Sequence, residues 1–204
     1  MSFLELENIT LSFGGIKALS KVSFTVQKGE LYALIGPNGA GKTTIFNCIS
    51  GLYPPDSGKV FFNDENITHM KPHHIAERGI ARTFQNIALF KNMTVIDNLL
   101  LGCHHLLKTG LLAGGIFLGK AVHEEIAYRQ KVEEIIDFLE IEASRKQIIA
   151  NLPYGVQKRV ELGRALAMDP KVLLLDEPVS GMNVEETEDI ARFIIDLKET
   201  SMTM

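Results

Sequence analysis

An α/β fold is predicted by three stretches of this chain. The apolar run Leu31-Tyr32-Ala33-Leu34-Ile35 leads into Gly36-Pro37-Asn38-Gly39-Ala40-Gly41-Lys42-Thr43 and then into a helical segment, 44–50. A second run, Val172-Leu173-Leu174-Leu175, has the unbroken hydrophobicity of a parallel strand buried on both faces. Between them, 123–140 and 154–168 carry apolar residues at helical spacing. Strand, glycine-rich turn, helices and then strand is the order of a sheet whose crossovers are helical.

The glycine-rich stretch is the most informative. The run 31–35 follows a Lys28-Gly29-Glu30 turn, as a buried strand should, and Gly51 suits the left-handed cap that ends the helix after the loop. The spacing is G-x-x-x-x-G-K-[ST] in the strand–loop–helix setting that motif requires. Its glycines let successive backbone N–H groups curl round a phosphate, and the helix N-terminus adds a favourable partial charge. Lys42 is placed to reach β- and γ-phosphates, and the Thr43 hydroxyl to ligate Mg²⁺. The motif therefore predicts binding of a nucleoside triphosphate.

Bulk properties exclude several classes. The 204 residues suit one large domain, or a core with a subdomain inserted into it, and 46% hydrophobic residues are ample for a packed interior. A formal charge of −4 without a basic tract argues against nucleic acid as a partner. Two cysteines, Cys48 and Cys103, are too few for a disulfide framework and suit a reducing compartment. Cys48 reads as a small buried hydrophobe. The N-terminus lacks a signal-peptide pattern, and the best apolar run, 111–119, is too short to cross a bilayer. The expectation is a cytoplasmic protein whose membrane role, if any, runs through a partner.

In chain order, 3–13 and 18–27 read as a hairpin, with Val22, Phe24 and Val26 alternating against Ser23, Thr25 and Gln27. Gly14-Gly15 permits the bend, and Phe13 beside it is either core filler or a ring exposed for stacking. Pro54-Pro55-Asp56-Ser57-Gly58 is a turn before a strand, 59–62. A short helix at 72–78 ends at Gly79, and 80–84 reads as a strand running into Gln85. His73-His74 and His104-His105 lack carboxylates at ligand spacing and read as surface histidines. Thr94 has the form of an N-cap, with Asp97 three residues on, opening a helix through Leu101.

Segment 102–120 is Gly- and Leu-rich, either an apolar loop meeting another protein or ordinary packing. Ile126, Val132, Ile135, Ile136 and Leu139 form a core stripe along 123–140. In the helix 154–168, Val160, Leu162, Ala165 and Leu166 face inward and Lys158, Arg159, Glu161 and Arg164 mainly outward. The run 172–175 delivers Asp176 and Glu177 to the C-terminal edge of a sheet, where ligands of open α/β folds bind, and Pro178 stops the ladder. The last helix spans 184–198, with Glu185, Glu186 and Glu188 in its first turns.

Taken together, the loop 36–43, Gln85, Leu152-Pro153-Tyr154-Gly155-Val156-Gln157 and Leu173-Leu174-Leu175-Asp176-Glu177-Pro178 resemble an ABC-type ATPase subunit along the whole chain. More narrowly, Phe13-Gly14-Gly15, Arg82-Thr83-Phe84-Gln85, the segment 107–111, the Tyr-Gly form of the signature and Ser180-Gly181-Met182-Asn183 resemble the ATP-binding subunit of a branched-chain amino-acid importer. The resemblance implies a P-loop NTPase (RecA-like) α/β core with an N-terminal antiparallel β subdomain and an inserted helical subdomain. The core would take 1–85 and 155–204, and the helical subdomain 86–154.

The resemblance also implies site residues. Phe13 would stack on adenine, which favours the exposed-ring reading. Gly36, Asn38, Gly39, Gly41, Lys42, Thr43 and Thr44 would hold the phosphates of ATP. Thr43 and, through water, Asp176 would hold Mg²⁺, Gln85 would sense Mg²⁺ and the γ-phosphate, and Glu177 would take a proton from the attacking water. Tyr154 and Gly155 would face the γ-phosphate of a second ATPase subunit, of the same or a different kind, in a head-to-tail pair. Residues 86–98, with Phe90 and Met93 exposed, would grip a helix of a transmembrane permease subunit, itself served by a solute-binding protein. The implied location is the cytoplasmic face of the membrane.

Two departures stand out. Pro153, Tyr154 and Val156 replace the serine, first glycine and glutamine of Leu-Ser-Gly-Gly-Gln, and Pro153 offers neither hydroxyl nor N–H. All six histidines lie at or before position 123, whereas the family's switch histidine follows the last helix. Residues 200–204 are the expected start of the strand that carries it, between the phosphate-loop and acid-pair strands. The expectation is a C-terminally truncated version of a longer polypeptide, binding ATP poorly and hydrolysing it slowly. The altered signature and missing histidine also motivate a catalytically silent regulatory module. An ABC ATPase of another membrane system (lipopolysaccharide export, urea or amide uptake) shares the motifs, and a DNA-repair or translation ATPase is disfavoured by the single domain.

Overall fold

Alternating apolar residues build a four-stranded antiparallel sheet at the N-terminal end of a computed structural model, which describes residues 2–106 and 120–204. Strands β1 (Leu4–Phe13), β2 (Ile16–Val26), β3 (Ser57–Phe62) and β4 (Glu65–Asn66) lie in the order β2-β1-β3-β4. Leu4, Leu6, Ile9 and Leu11 of β1 turn to one face, with Val26, Val60 and Phe62 beside them. Helix α1 (Lys42–Ile49) covers that face with Ile45, Cys48 and Ile49. Each such fully buried aliphatic side chain contributes about 1.5–3 kcal/mol. Burial also pushes the Cys48 thiol up to about 11, so it acts as packing rather than as a nucleophile.

Helix α2 (Pro72–Glu77) starts at a proline and stops before Gly79, whose φ of 99° requires glycine. Strand β5 (Ile80–Arg82) pairs in parallel with β6 (Val172–Leu174), aligning Arg82 with Leu174. On its other side β6 meets the chain end. Thr203 bridges Val172 in parallel, Leu173 N–H donates to Thr203 O at 3.0 Å, Met204 N–H to Glu30 O at 2.9 Å, and Tyr32 N–H to Met204 O at 2.8 Å. Thr203 and Met204 thus lie between the phosphate-loop segment and β6, the position expected for 200–204.

One expected strand is corrected by the same pairing. Residues 31–35 form no strand, and Ile35 is 96% exposed rather than buried. Ladder bonds from Met204 reach Glu30 and Tyr32. An apolar run becomes a strand when a neighbour satisfies its N–H and C=O groups, not through hydrophobicity alone.

The described residues divide into two units: Met1–Arg82, Lys171–Asp176 and Ile195–Met204 in the first, Thr83–Pro170 and Glu177–Ile194 in the second. Everything above belongs to the first. In the second, Thr94 caps α3 (Val95–Gly102), its Oγ1 accepting from Asp97 N–H at 3.2 Å. Helices α4 (Lys120–Phe138) and α5 (Tyr154–Ala167) pack with α3 around Leu99, Val132, Ile136, Leu139, Val160 and Leu162. Ile126, expected in this stripe, is exposed, because the buried face of α4 begins at Val132. Helix α6 (Val184–Glu199) starts in the second unit and ends in the first. Segment 107–111 and the apolar run 111–119 lie outside the described residues.

Candidate nucleotide site

The loop 36–41 reaches α1 through two left-handed glycines, Gly39 (φ 82°) and Gly41 (φ 88°). A Cβ on Gly41 would stand 2.8 Å from Ala18 O and from Leu19 Cδ2, so the hairpin fixes that glycine sterically as well. Gly41 occupies the N-cap of α1 without a side chain to cap it, which leaves the first-turn N–H groups of Lys42, Thr43 and Thr44 available to an anion. Lys42 folds back over the loop, its Nζ donating to Gly36 O at 2.7 Å and Pro37 O at 3.0 Å. The ammonium therefore sits over the turn that carries Asn38 and Gly39.

Strand β6 delivers Asp176 beside that helix start. Thr43 Oγ1 donates to Asp176 Oδ1 at 3.3 Å, and Arg82 Nη2 donates to Asp176 Oδ2 at 2.9 Å. Asp176 is 3% exposed, so its charge is held by these partners rather than by water. At the far end of β1, Phe13 is 46% exposed and meets Tyr53 edge to face, with ring centroids 5.3 Å apart. Its place at the Gly14-Gly15 turn removes the core-filler reading.

The second unit carries its own cluster. Gln85 Nε2 donates to Glu177 Oε2 at 2.7 Å. Glu177 itself has φ 48°, a left-handed conformation uncommon for a residue other than glycine and characteristic of functional sites. The segment around Gln85 is clamped by α5: Lys158 Nζ donates to Phe84 O and Gln85 O, each at 3.1 Å, and to Glu161 Oε2 at 3.1 Å. Glu161 Oε1 accepts the N–H groups of Phe84 (3.4 Å) and Ala88 (3.3 Å).

This corrects the expectation that Lys158 and Glu161 face outward, since both are buried. Their spacing with Leu162 and Ala165 placed them on the inward stripe all along, and opposite charges at i and i+3 on such a stripe were the available signal. Arg82 carries no local signal of its role, because its partners Asn47 and Asp176 are brought to it by the fold.

At the start of α5, Tyr154 OH donates to Ser180 O at 3.1 Å, while Gly155 lies so close to Glu186 that a Cβ would come within 2.2 Å of its Oε1. Glu186 is held by a reciprocal cap at the start of α6: Asn183 N–H donates to Glu186 Oε2 (3.1 Å) and Glu186 N–H to Asn183 Oδ1 (2.9 Å). Pro153 at the N-cap of α5 provides no side-chain cap, which leaves that helix's first N–H groups for an outside partner.

The profile of the family described as ABC transporter matches residues 19–180, taking in the loop, Gln85, Tyr154-Gly155 and Asp176-Glu177. The chain belongs to the ABC transporter family. It is thereby a nucleotide-binding, ATP-hydrolysing transporter subunit of the P-loop NTPase fold.

Among its ABC relatives, the high-affinity branched-chain amino acid transport ATP-binding protein BraF of Pseudomonas aeruginosa is 39% identical, over 96% of this chain and 76% of its own length. LivG of Escherichia coli, described in the same words, is 38% identical over the same shares. Of solved structures, a nucleotide-free ATP-binding cassette from an ABC transporter superimposes with a TM-score of 0.84 at 36% identity, over 100% of this chain and 79% of its own. The ADP conformation of an ABC cassette gives 0.84 at 37%, with the same coverage. A dimeric post-hydrolysis cassette bound to ADP and Pi gives 0.82 at 25%, over 98% of this chain and 85% of that one.

Proposed function

We propose that this subunit energises an importer of branched-chain amino acids. The pairing of Thr43 with Asp176 at the foot of the phosphate loop supports nucleotide chemistry there, and the relatives BraF and LivG support the solute. The Thr43 hydroxyl and Asp176 Oδ1 are hard oxygen donors, the kind Mg²⁺ accepts. Held by Thr43 and, through water, by Asp176, Mg²⁺ would offset charge on the β- and γ-phosphates. Lys42 exchanges the loop carbonyls for phosphate oxygens, with the N–H groups of Gly39, Gly41, Thr43 and Thr44 as further donors and Gly36 and Asn38 shaping the turn. Gln85 senses the metal and the γ-phosphate, and Glu177 takes the proton of the attacking water. Positioning and charge neutralisation carry the catalysis, since phosphoryl transfer leaves a protein little covalent work.

Phe13 stacks on adenine. Phe13→Ala should weaken ATP binding by about 1–3 kcal/mol, by analogy with base–aromatic stacking elsewhere; titration of a fluorescent ATP analogue reads it, and an unchanged affinity places the ring outside the site.

Two such subunits, identical or sister, would close head to tail, with Tyr154 and Gly155 of one against the nucleotide of the other; the dimeric cassette bound to ADP and Pi supports pairing as such. No helix among the described residues is long and apolar enough to cross a membrane, so attachment to the cytoplasmic face would run through permease subunits fed by a solute-binding protein. Residues 86–98 would form the groove that grips a helix of the permease. Phe90 is exposed and Met93 half-buried within it. Charged substitutions at both should abolish uptake while ATP hydrolysis by the isolated chain persists, and normal uptake would remove this face from the interface. The solute is tested by uptake of radiolabelled leucine, isoleucine and valine in cells lacking the gene: reduced uptake is expected, and unchanged uptake overturns the assignment.

A further inference from the structure

We infer that Arg82 is a positioning residue for the cation that accompanies the nucleotide, an inference that rests on the Mg²⁺ reading of Thr43 and Asp176. Its guanidinium is buried between two elements of the first unit, with only 6% of the side chain exposed. Nη1 donates to Asn47 Oδ1 at 2.6 Å and to Ser50 Oγ at 3.4 Å, both on or just beyond α1. Nη2 donates to Asp176 Oδ2 at 2.9 Å, and the plane sits 5.7 Å from the centre of the Phe46 ring. The two arms of the fork therefore have different duties. One anchors the guanidinium to the helix that begins with Lys42 and Thr43, and the other grips a single oxygen of Asp176.

That division leaves Oδ1 as the carboxylate oxygen facing the cation and its waters. With Oδ2 taken by Arg82, Oδ1 is the atom turned to Thr43 Oγ1, so the carboxylate presents one oxygen beside one hydroxyl. A small octahedral ion that keeps most of its waters needs this arrangement, one protein oxygen at a fixed position rather than a bidentate carboxylate free to swing. A planar fork can hold the carboxylate and Asn47 at once, whereas a lysine ammonium is a point charge with no such geometry. Arg82 also balances the charge of a carboxylate that is otherwise out of water, so Asp176 keeps its orientation whether or not a cation is bound.

Arg82→Lys keeps the charge and loses the fork. Asn47→Ala leaves Arg82 in place and loosens it. In Mn²⁺ titrations of the chain saturated with ADP, with free Mn²⁺ read by electron paramagnetic resonance, both variants should bind Mn²⁺ about tenfold more weakly than the parent, the usual effect of removing a group that orients a metal ligand. ADP affinity in EDTA, and the melting temperature, should stay near parental values in Asn47→Ala. Parental Mn²⁺ affinity in both variants overturns the inference, as does an equal loss of ADP affinity in EDTA, which marks a merely structural role. A parent chain that takes up no Mn²⁺ beyond what ADP alone holds refutes the underlying Mg²⁺ reading instead, and the inference falls with it.

Discussion

Glu177→Gln lowers the rate of ATP hydrolysis by about 10²–10⁴-fold, the range set by losing a general base, while ATP affinity stays close to that of the parent chain. The substitution is nearly isosteric. Gln85 Nε2, now 2.7 Å from Glu177 Oε2, would still find an oxygen acceptor, so the pair and the left-handed backbone at Glu177 (φ 48°) persist. What disappears is the carboxylate that can accept a proton. Single-turnover hydrolysis of γ-labelled ATP reads even slow rates. Equal rates in parent and variant would favour a silent nucleotide-binding module, the alternative raised by Pro153 in the signature segment.

Lys158→Met destabilises the second unit by about 3–5 kcal/mol, because it leaves Glu161 buried and charged without its partner. The lysine also holds the carbonyls of Phe84 and Gln85, so the segment presenting Gln85 to Glu177 loosens in the same variant. Hydrolysis should therefore fall more than ATP binding does. The double variant Lys158→Met/Glu161→Gln removes both charges and keeps an acceptor for the N–H groups of Phe84 and Ala88. It should regain most of the lost stability. Urea unfolding of the three proteins measures this, and a single variant as stable as the parent would show that the Lys158–Glu161 pair does not hold this unit together.

Much of this architecture is written locally in the chain. The hairpin, α1 with its glycine cap, Thr94 at the head of α3, and the Asp176-Glu177 pair after β6 follow from alternation, capping and short motifs that act over a few residues. The nucleotide loop was legible because its glycines do one identifiable job each, as the close approach of Gly41 to Ala18 illustrates. What escaped was decided at a distance in sequence. The run 31–35 has the composition of a core strand, yet its state depends on pairing with a segment distant in sequence, and among the described residues that pairing consists of the bonds of Glu30 and Tyr32 with Met204. Lys158 and Glu161 look like solvated helix charges until the backbone of 84–88 supplies the polar groups that let them be buried. Arg82 had no periodicity to mark it, because its partners Asn47 and Asp176 lie on separate elements. Ile126 shows the converse error, since helical spacing was continued beyond the turn where α4 stops being covered.

The most direct test is calorimetric titration of ATP with Mg²⁺ into the parent chain and into Lys42→Ala. Loss of a charged hydrogen bond to phosphate is worth about 1.5–3 kcal/mol, so the variant should bind roughly ten- to a hundredfold more weakly than a parent that takes up one nucleotide per chain. Identical affinities, or a parent that binds no nucleotide at all, would contradict the assignment of residues 36–43 as the phosphate cradle of this transporter subunit.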